Sequence, residues 1–125
     1  MVLNPDCIRD ILLLLEAKIE YGRALYINWR NYKNYCDKYS KDEFFYHLEQ
    51  CIKFQYVDGE YKTYSFKIYD LTPKGHSFLA NIRSITTWNK TKNIASKIGS
   101  LSLEILKDIA SDIITKTLLE QHHRL

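Results

Sequence analysis

The change of hydrophobic period behind Ser40 is the feature that most narrows the folds open to this chain. Ser40-Lys41-Asp42-Glu43 has the form of a capping box, in which the serine accepts a backbone bond and the glutamate three residues on bonds back. The helix it opens, about residues 41–53, buries Phe44, Phe45, Leu48, Cys51 and Ile52. It turns Asp42, Glu43, Tyr46, Glu49, Gln50 and Lys53 outward. From Phe54 the period falls to two. Phe54-Gln55-Tyr56-Val57, then Asp58-Gly59, then residues 60–71 read as a β-hairpin, because Asp-Gly supplies the positive backbone angles that tight turns demand. The returning limb is the longer one, so residues 60–65 are expected to form an irregular tip.

The flanking segments are mostly helical. Gly and Pro together number six, which favours long elements with short connections. Asn4-Pro5-Asp6 starts a helix to about Glu20, with the stripe Ile8, Ile11, Leu12, Leu15 and Ile19 facing the core. Leu13 and Leu14 fall outside that stripe, which points to a second surface covered by another helix or subunit. Leu25-Tyr26-Ile27 is short and β-prone, and the aromatic spacing of residues 30–38 predicts a short second helix. Thr72-Pro73 opens a helix bearing Phe78, Leu79 and Ile82. Residues 84–98 form another, with Trp88, Thr91, Ala95 and Ile98 on one side, and Gly99 stops it. The last helix reaches about Glu120 on a wide stripe that includes Leu103, Leu106, Ile109, Ala110 and Ile113, and the tail from His122 to Leu125 is expected to fray.

Helix, short strand, helix, helix, hairpin is the element order of a winged helix-turn-helix. The 125 residues therefore predict an α+β fold, mainly α with a small β-hairpin. Residues 1–84 make the winged helix-turn-helix and residues 85–125 a C-terminal helical extension for dimerisation or packing. A homodimer is expected, with Leu13, Leu14, Leu106, Ile109 and Ile113 at its interface.

Several segments carry a resemblance. Asp70-Leu71-Thr72-Pro73-Lys74-Gly75-His76-Ser77-Phe78-Leu79, Asn81-Ile82-Arg83, Trp88-Asn89-Lys90 and Gly99-Ser100-Leu101-Ser102-Leu103 resemble the hallmark stretches of an uncharacterised bacterial and prophage family, domain of unknown function 2513. Asp6-Cys7-Ile8-Arg9-Asp10-Ile11-Leu12 and Tyr46-His47-Leu48 agree with it as well. The resemblance implies a small phage- or prophage-type protein and supplies neither catalytic residues nor a ligand.

Function is read from charge and side-chain type. Net charge is +3, and it is unevenly spread: residues 1–70 hold ten basic and eleven acidic side chains, residues 71–125 eight and four. Duplex DNA is the commonest partner of the winged fold, and Arg30, Lys33, Lys38 and Lys41 with Lys62, Lys67, Tyr61 and Tyr64 of the hairpin could grip its backbone. On the outward face of helix 41–53, Tyr46, Gln50 and Lys53 could reach bases or phosphate, although Asp42, Glu43 and Glu49 repel it. The acidic, tyrosine-bearing face also has the composition of a protein interface, so an interaction module or inhibitor of a host factor is the alternative. His47 and Cys51 lie four apart, yet no two-residue-spaced cysteine pair exists, and no metal or cofactor is assigned. No nucleophile with a partnered base can be argued, so no enzyme is expected. Three unpaired cysteines, the lack of a secretory signal and the lack of a long apolar run predict a cytoplasmic protein without a membrane segment.

Overall fold

The computed structural model describes residues 1–123 as five α-helices, one 3-10 turn and a three-stranded antiparallel sheet, a mixed α+β fold. Two compact units divide between Ser77 and Phe78. The first holds α1 (Pro5–Lys18), β1 (Leu25–Asn28), α2 (Lys41–Lys53), β2 (Val57–Lys62) and β3 (Ser65–Leu71). α3 (Pro73–Ile82) spans the division, and α4 (Ile85–Ile98) and α5 (Leu103–His123) follow. No helix among the described residues is long and apolar enough to cross a membrane.

α1 begins as its sequence demands: the Asn4 side chain accepts from the Asp6 N–H at 3.0 Å, and Pro5 occupies the first turn. Ile8, Ile11, Leu12 and Leu15 are buried, and α1 packs on α2 and β3. Each such side chain contributes about 1.5–3 kcal/mol on burial. Ser40 caps α2 by accepting from the Glu43 N–H at 3.2 Å. His47, on the buried face of α2, ties the two helices together. Its Nε2 accepts from the Asn4 N–H at 2.7 Å, which requires Nδ1 to carry the ring proton and donate to the Glu43 carbonyl at 2.7 Å. Replacing His47 by leucine leaves the Asn4 N–H without its partner, so equilibrium urea unfolding should show a loss of about 1–3 kcal/mol. An unchanged midpoint would mean that this bond contributes nothing.

Strand order is β1-β3-β2, with Leu25 opposite Ile68, Ile27 opposite Phe66, Val57 opposite Leu71 and Lys62 opposite Ser65. The hairpin is present, but its turn is not at Asp58-Gly59. Those two residues lie inside β2 at a bulge, and the chain reverses at Thr63-Tyr64, where Tyr64 takes a φ of +57°. Glycine at position 59 serves close approach: an added Cβ would lie 2.8 Å from the Lys67 carbonyl oxygen and 3.4 Å from the Ile52 side chain.

The short helix expected over residues 30–38 is also corrected. Only Tyr32–Asn34 forms a 3-10 turn. Asparagine side chains take the backbone bonds that a helix would need. The Asn28 Oδ1 accepts from the Arg30 and Asn31 N–H groups, while the Asn31 amide bonds the Asn28 N–H and the Tyr26 carbonyl along the free edge of β1.

In the second unit, Ser84 caps α4, and Gly99 ends it with a φ of +88°. Trp88, Thr91 and Ala95 of α4 and Leu103, Leu106 and Ala110 of α5 are buried where the two helices pack. Thr91 meets its hydroxyl requirement by donating to the Thr87 carbonyl at 2.7 Å. Ile98, expected on the covered side, remains exposed in the last turn. α5 runs on through His123 where fraying was expected. Arg124 and Leu125, the rest of that tail, lie outside the described residues.

Candidate nucleic-acid interface

The tip of the β2–β3 hairpin is assembled around Tyr64. Its phenol donates to the Asp42 carboxylate at 2.6 Å, and its ring stands edge-on to Phe45 at 5.4 Å. The bond to Asp42, with a smaller contribution from burial, raises the phenol above its ordinary pKa. The Lys41 ammonium lies 4.7 Å from the centre of the Tyr64 ring, and the Tyr64 carbonyl accepts from the Trp29 N–H at 3.0 Å. Trp29 is exposed, with the Arg30 guanidinium 5.0 Å from its ring. Lys62 leaves β2 beside this cluster. The fold thus brings Arg30, Lys41, Lys62 and Tyr64 together, from three separate stretches of sequence.

Other expected contacts are dispersed. Tyr46 lines an open cleft of about 230 Å³ between α2 and the hairpin, shared with Phe45, Lys62 and the acids Asp42 and Glu49. Lys53 pairs with Glu49 at 3.3 Å, and Gln50 is half-buried; neither lines that cleft. The Tyr61 ring stacks on Phe66 at 5.2 Å, which covers one of its faces. Lys33 is exposed on the 3-10 turn, whereas Lys38 is drawn to Asp10 of α1 at 3.1 Å. Asp10 also accepts from the Tyr39 hydroxyl at 2.5 Å, and burial followed by this bond pushes that phenol well up. These contacts close one side of a 260 Å³ cavity lined by Ile11, Leu14, Tyr35, Cys36 and Phe44.

Leu13 and Leu14 are both half-buried. In α5, Leu106 is fully buried, and Ile109 and Ile113 are half-buried. Leu106 is therefore spent inside the chain, out of reach of a second copy. Both ring nitrogens of His47 are committed to backbone groups, and burial drives the thiols of Cys51 and Cys7 up, keeping them protonated.

Lys67, expected with Lys62 among the wing contacts, sits in a further cluster with Tyr26 and Tyr69, two partners that the sequence did not point to. Lys67 lies opposite Tyr26 in the β-ladder, with its ammonium 5.8 Å from the Tyr26 ring and 5.3 Å from Tyr69, two residues along β3. A hydrogen bond to Tyr69, followed by the charge interaction with Tyr26, holds that ammonium above its usual pKa. Tyr21 and Arg23 border the same open cleft of about 450 Å³. Alternation along β3 would have suggested the pairing of Lys67 with Tyr69; the pairing with Tyr26 needs the register.

Fold and cluster together define a small α+β protein that presents basic and aromatic side chains on a hairpin tip beside a helix. Over residues 2–102 the chain matches the family model described as Hypothetical protein (DUF2513), and it belongs to that family. Comparison with the curated proteins finds no match.

Proposed function

We propose that this protein is a winged-helix DNA-binding module, of a regulatory kind, that grips the duplex backbone with its hairpin tip. The observation that carries the reading is the convergence on Tyr64: Lys41 over its ring, Trp29 on its carbonyl, Arg30 against Trp29. Basic groups on a projecting turn suit phosphate, which fixes position without reading sequence. Bases would be left to Tyr46, beside the wing. The acids of α2 are partly answered from within, Asp42 by the Tyr64 hydroxyl and Glu49 by Lys53.

The test is fluorescence anisotropy with a random duplex at a series of salt concentrations. Binding should weaken steeply with salt. The combined change Arg30→Ala, Lys41→Ala and Lys62→Ala should reduce the slope of log K against log[salt] by about 2–3, roughly 0.9 for each phosphate that is no longer neutralised. Binding that ignores salt, or a slope the three changes leave alone, refutes the reading.

The second reading is a protein-interaction module, an inhibitor of a host factor. It is favoured by Asp42 and Glu49 in the cleft beside Tyr46, and by the Tyr26, Lys67 and Tyr69 cluster. It requires that the protein ignore duplex DNA and hold its partner at high salt.

A further inference from the structure

Three tyrosines border the open cleft of about 450 Å³ on the face of the sheet opposite the buried Ile27 and Ile68. Tyr26 of β1 is 58% exposed and Tyr69 of β3 38%, while Tyr21 stands fully exposed on the turn before β1, where Gly22 takes a φ of +77°. Alternation breaks at Tyr69. Gly59 faces Ile68 and Asp58 faces Asp70, so Tyr69 is the extra residue of the bulge, and both it and Asp70 are exposed. Exposed aromatic rings are the side chains from which a protein interface gains most of its energy.

Charge and backbone narrow the occupant. The cleft holds Arg23 and Lys67 against Glu20 and Asp70, with no net charge. Glu20 pairs with Arg23 at 3.6 Å, and the Asp70 carboxylate accepts from the Leu71 N–H at 2.7 Å. A phosphate strand or a strongly charged peptide therefore finds no complementary field here. An added β-strand is excluded at this edge as well, because the Asn31 side chain already holds the Asn28 N–H and the Tyr26 carbonyl of β1.

The cleft offers hydrogen-bond donors and flat rings. The Lys67 ammonium bonds to the phenol oxygens of Tyr69 and Tyr26. An ammonium can only donate, so both oxygens accept from it and each hydroxyl hydrogen is left to give to another group. A proline-rich segment is the complement, since it has a carbonyl at every residue, few N–H groups, and apolar rings to lie on tyrosine. Spacing agrees. The Tyr26 and Tyr69 ring centres are 5.8 and 5.3 Å from one ammonium, so they lie within about 11 Å of each other, a span that one polyproline II turn of roughly 9 Å fits.

We propose that this cleft docks a proline-rich segment of a partner protein in the polyproline II conformation, with proline rings on Tyr26 and Tyr69 and peptide carbonyls accepting from their hydroxyls. Tyr21 extends the ring surface at the mouth. The site uses none of the hairpin-tip residues and does not depend on duplex binding.

Calorimetric titration of the full chain with a capped decaproline peptide tests it. The peptide should bind with micromolar affinity, alike at low and at high salt. Tyr26→Ala and Tyr69→Ala should each weaken binding about tenfold. Tyr26→Phe with Tyr69→Phe keeps the rings, removes the donors, and should weaken it severalfold. Both side chains are exposed, so circular dichroism should be unchanged. The Arg30→Ala, Lys41→Ala, Lys62→Ala protein should take the peptide as the parent does, whatever becomes of its duplex binding. No binding at millimolar peptide, binding indifferent to either alanine or to the paired phenylalanines, or its loss from the triple variant overturns the proposal. So does a cleft that ignores the peptide and instead holds single-stranded oligothymidine through the same tyrosines, with an affinity that fades as salt rises.

Discussion

Gly75→Ala is expected to destabilise the protein by about 3 kcal/mol or more, although alanine is the better helix former by about 1 kcal/mol. Gly75 is buried at the third position of α3, against the backbone of Tyr56. An alanine Cβ would overlap the Tyr56 carbonyl oxygen and lie 2.9 Å from its carbon and 3.2 Å from its Cα. These atoms are fixed. The Tyr56 carbonyl already accepts from the Thr72 N–H at 3.0 Å, and the Thr72 hydroxyl donates to the Gln55 carbonyl at 2.5 Å while accepting from the Gly75 N–H at 3.0 Å. Lys74 adds a bond to the Phe54 carbonyl at 3.0 Å. Relieving the overlap therefore means lifting the start of α3 off residues 54–56 and losing the cap and its bonds together. Thermal unfolding should fall by on the order of 10 °C. An alanine variant as stable as the parent would show that α3 can slide and is not fixed against Tyr56.

The same stretch shows what could be read in advance. Thr72-Pro73 announced a helix start, and the capping residues Asn4 and Ser40 both act where the sequence put them, since a cap is a local bond. Period likewise separated α2 from the hairpin. What failed depended on contacts distant in sequence. Asp58-Gly59 looked like a turn, because glycine tolerates positive angles; it is placed there by the crowding of Lys67 and Ile52. The tyrosines of residues 32–39 resembled a helical stripe, yet asparagine bonds at one end and Asp10 at the other hold that segment open. Half of the candidate interface was legible as residue types. That Arg30, Lys41, Lys62 and Tyr64 meet while Lys38 and Lys53 are paired elsewhere follows from strand register and from single carboxylates, which no spacing encodes.

Phe45→Ala should be the change that links stability to function most directly. Four rings surround Phe45: Phe44 at 5.5 Å, Tyr32 at 5.6 Å, Phe66 at 5.7 Å and Tyr64 at 5.4 Å. It joins the 3-10 turn, α2, and the turn and returning limb of the hairpin, and is 4% exposed. Truncation to alanine should cost about 3–5 kcal/mol, a large share of the roughly 5–15 kcal/mol by which a domain of this size is stable. Phe45→Leu keeps most of the volume, so its fold should survive with a loss of about 1.5 kcal/mol. The leucine variant separates packing from binding. Without the edge-on ring, Tyr64 loses the wall that holds it beneath Lys41, and the phosphate-facing groups are no longer held in one arrangement. Duplex affinity should then fall severalfold in a protein that is still folded, with the salt slope reduced as Lys41 loses its place. If Phe45→Leu folds and binds duplex as the parent does, the tip does not depend on this aromatic cluster, and the convergence on Tyr64 is a packing feature without a role in binding.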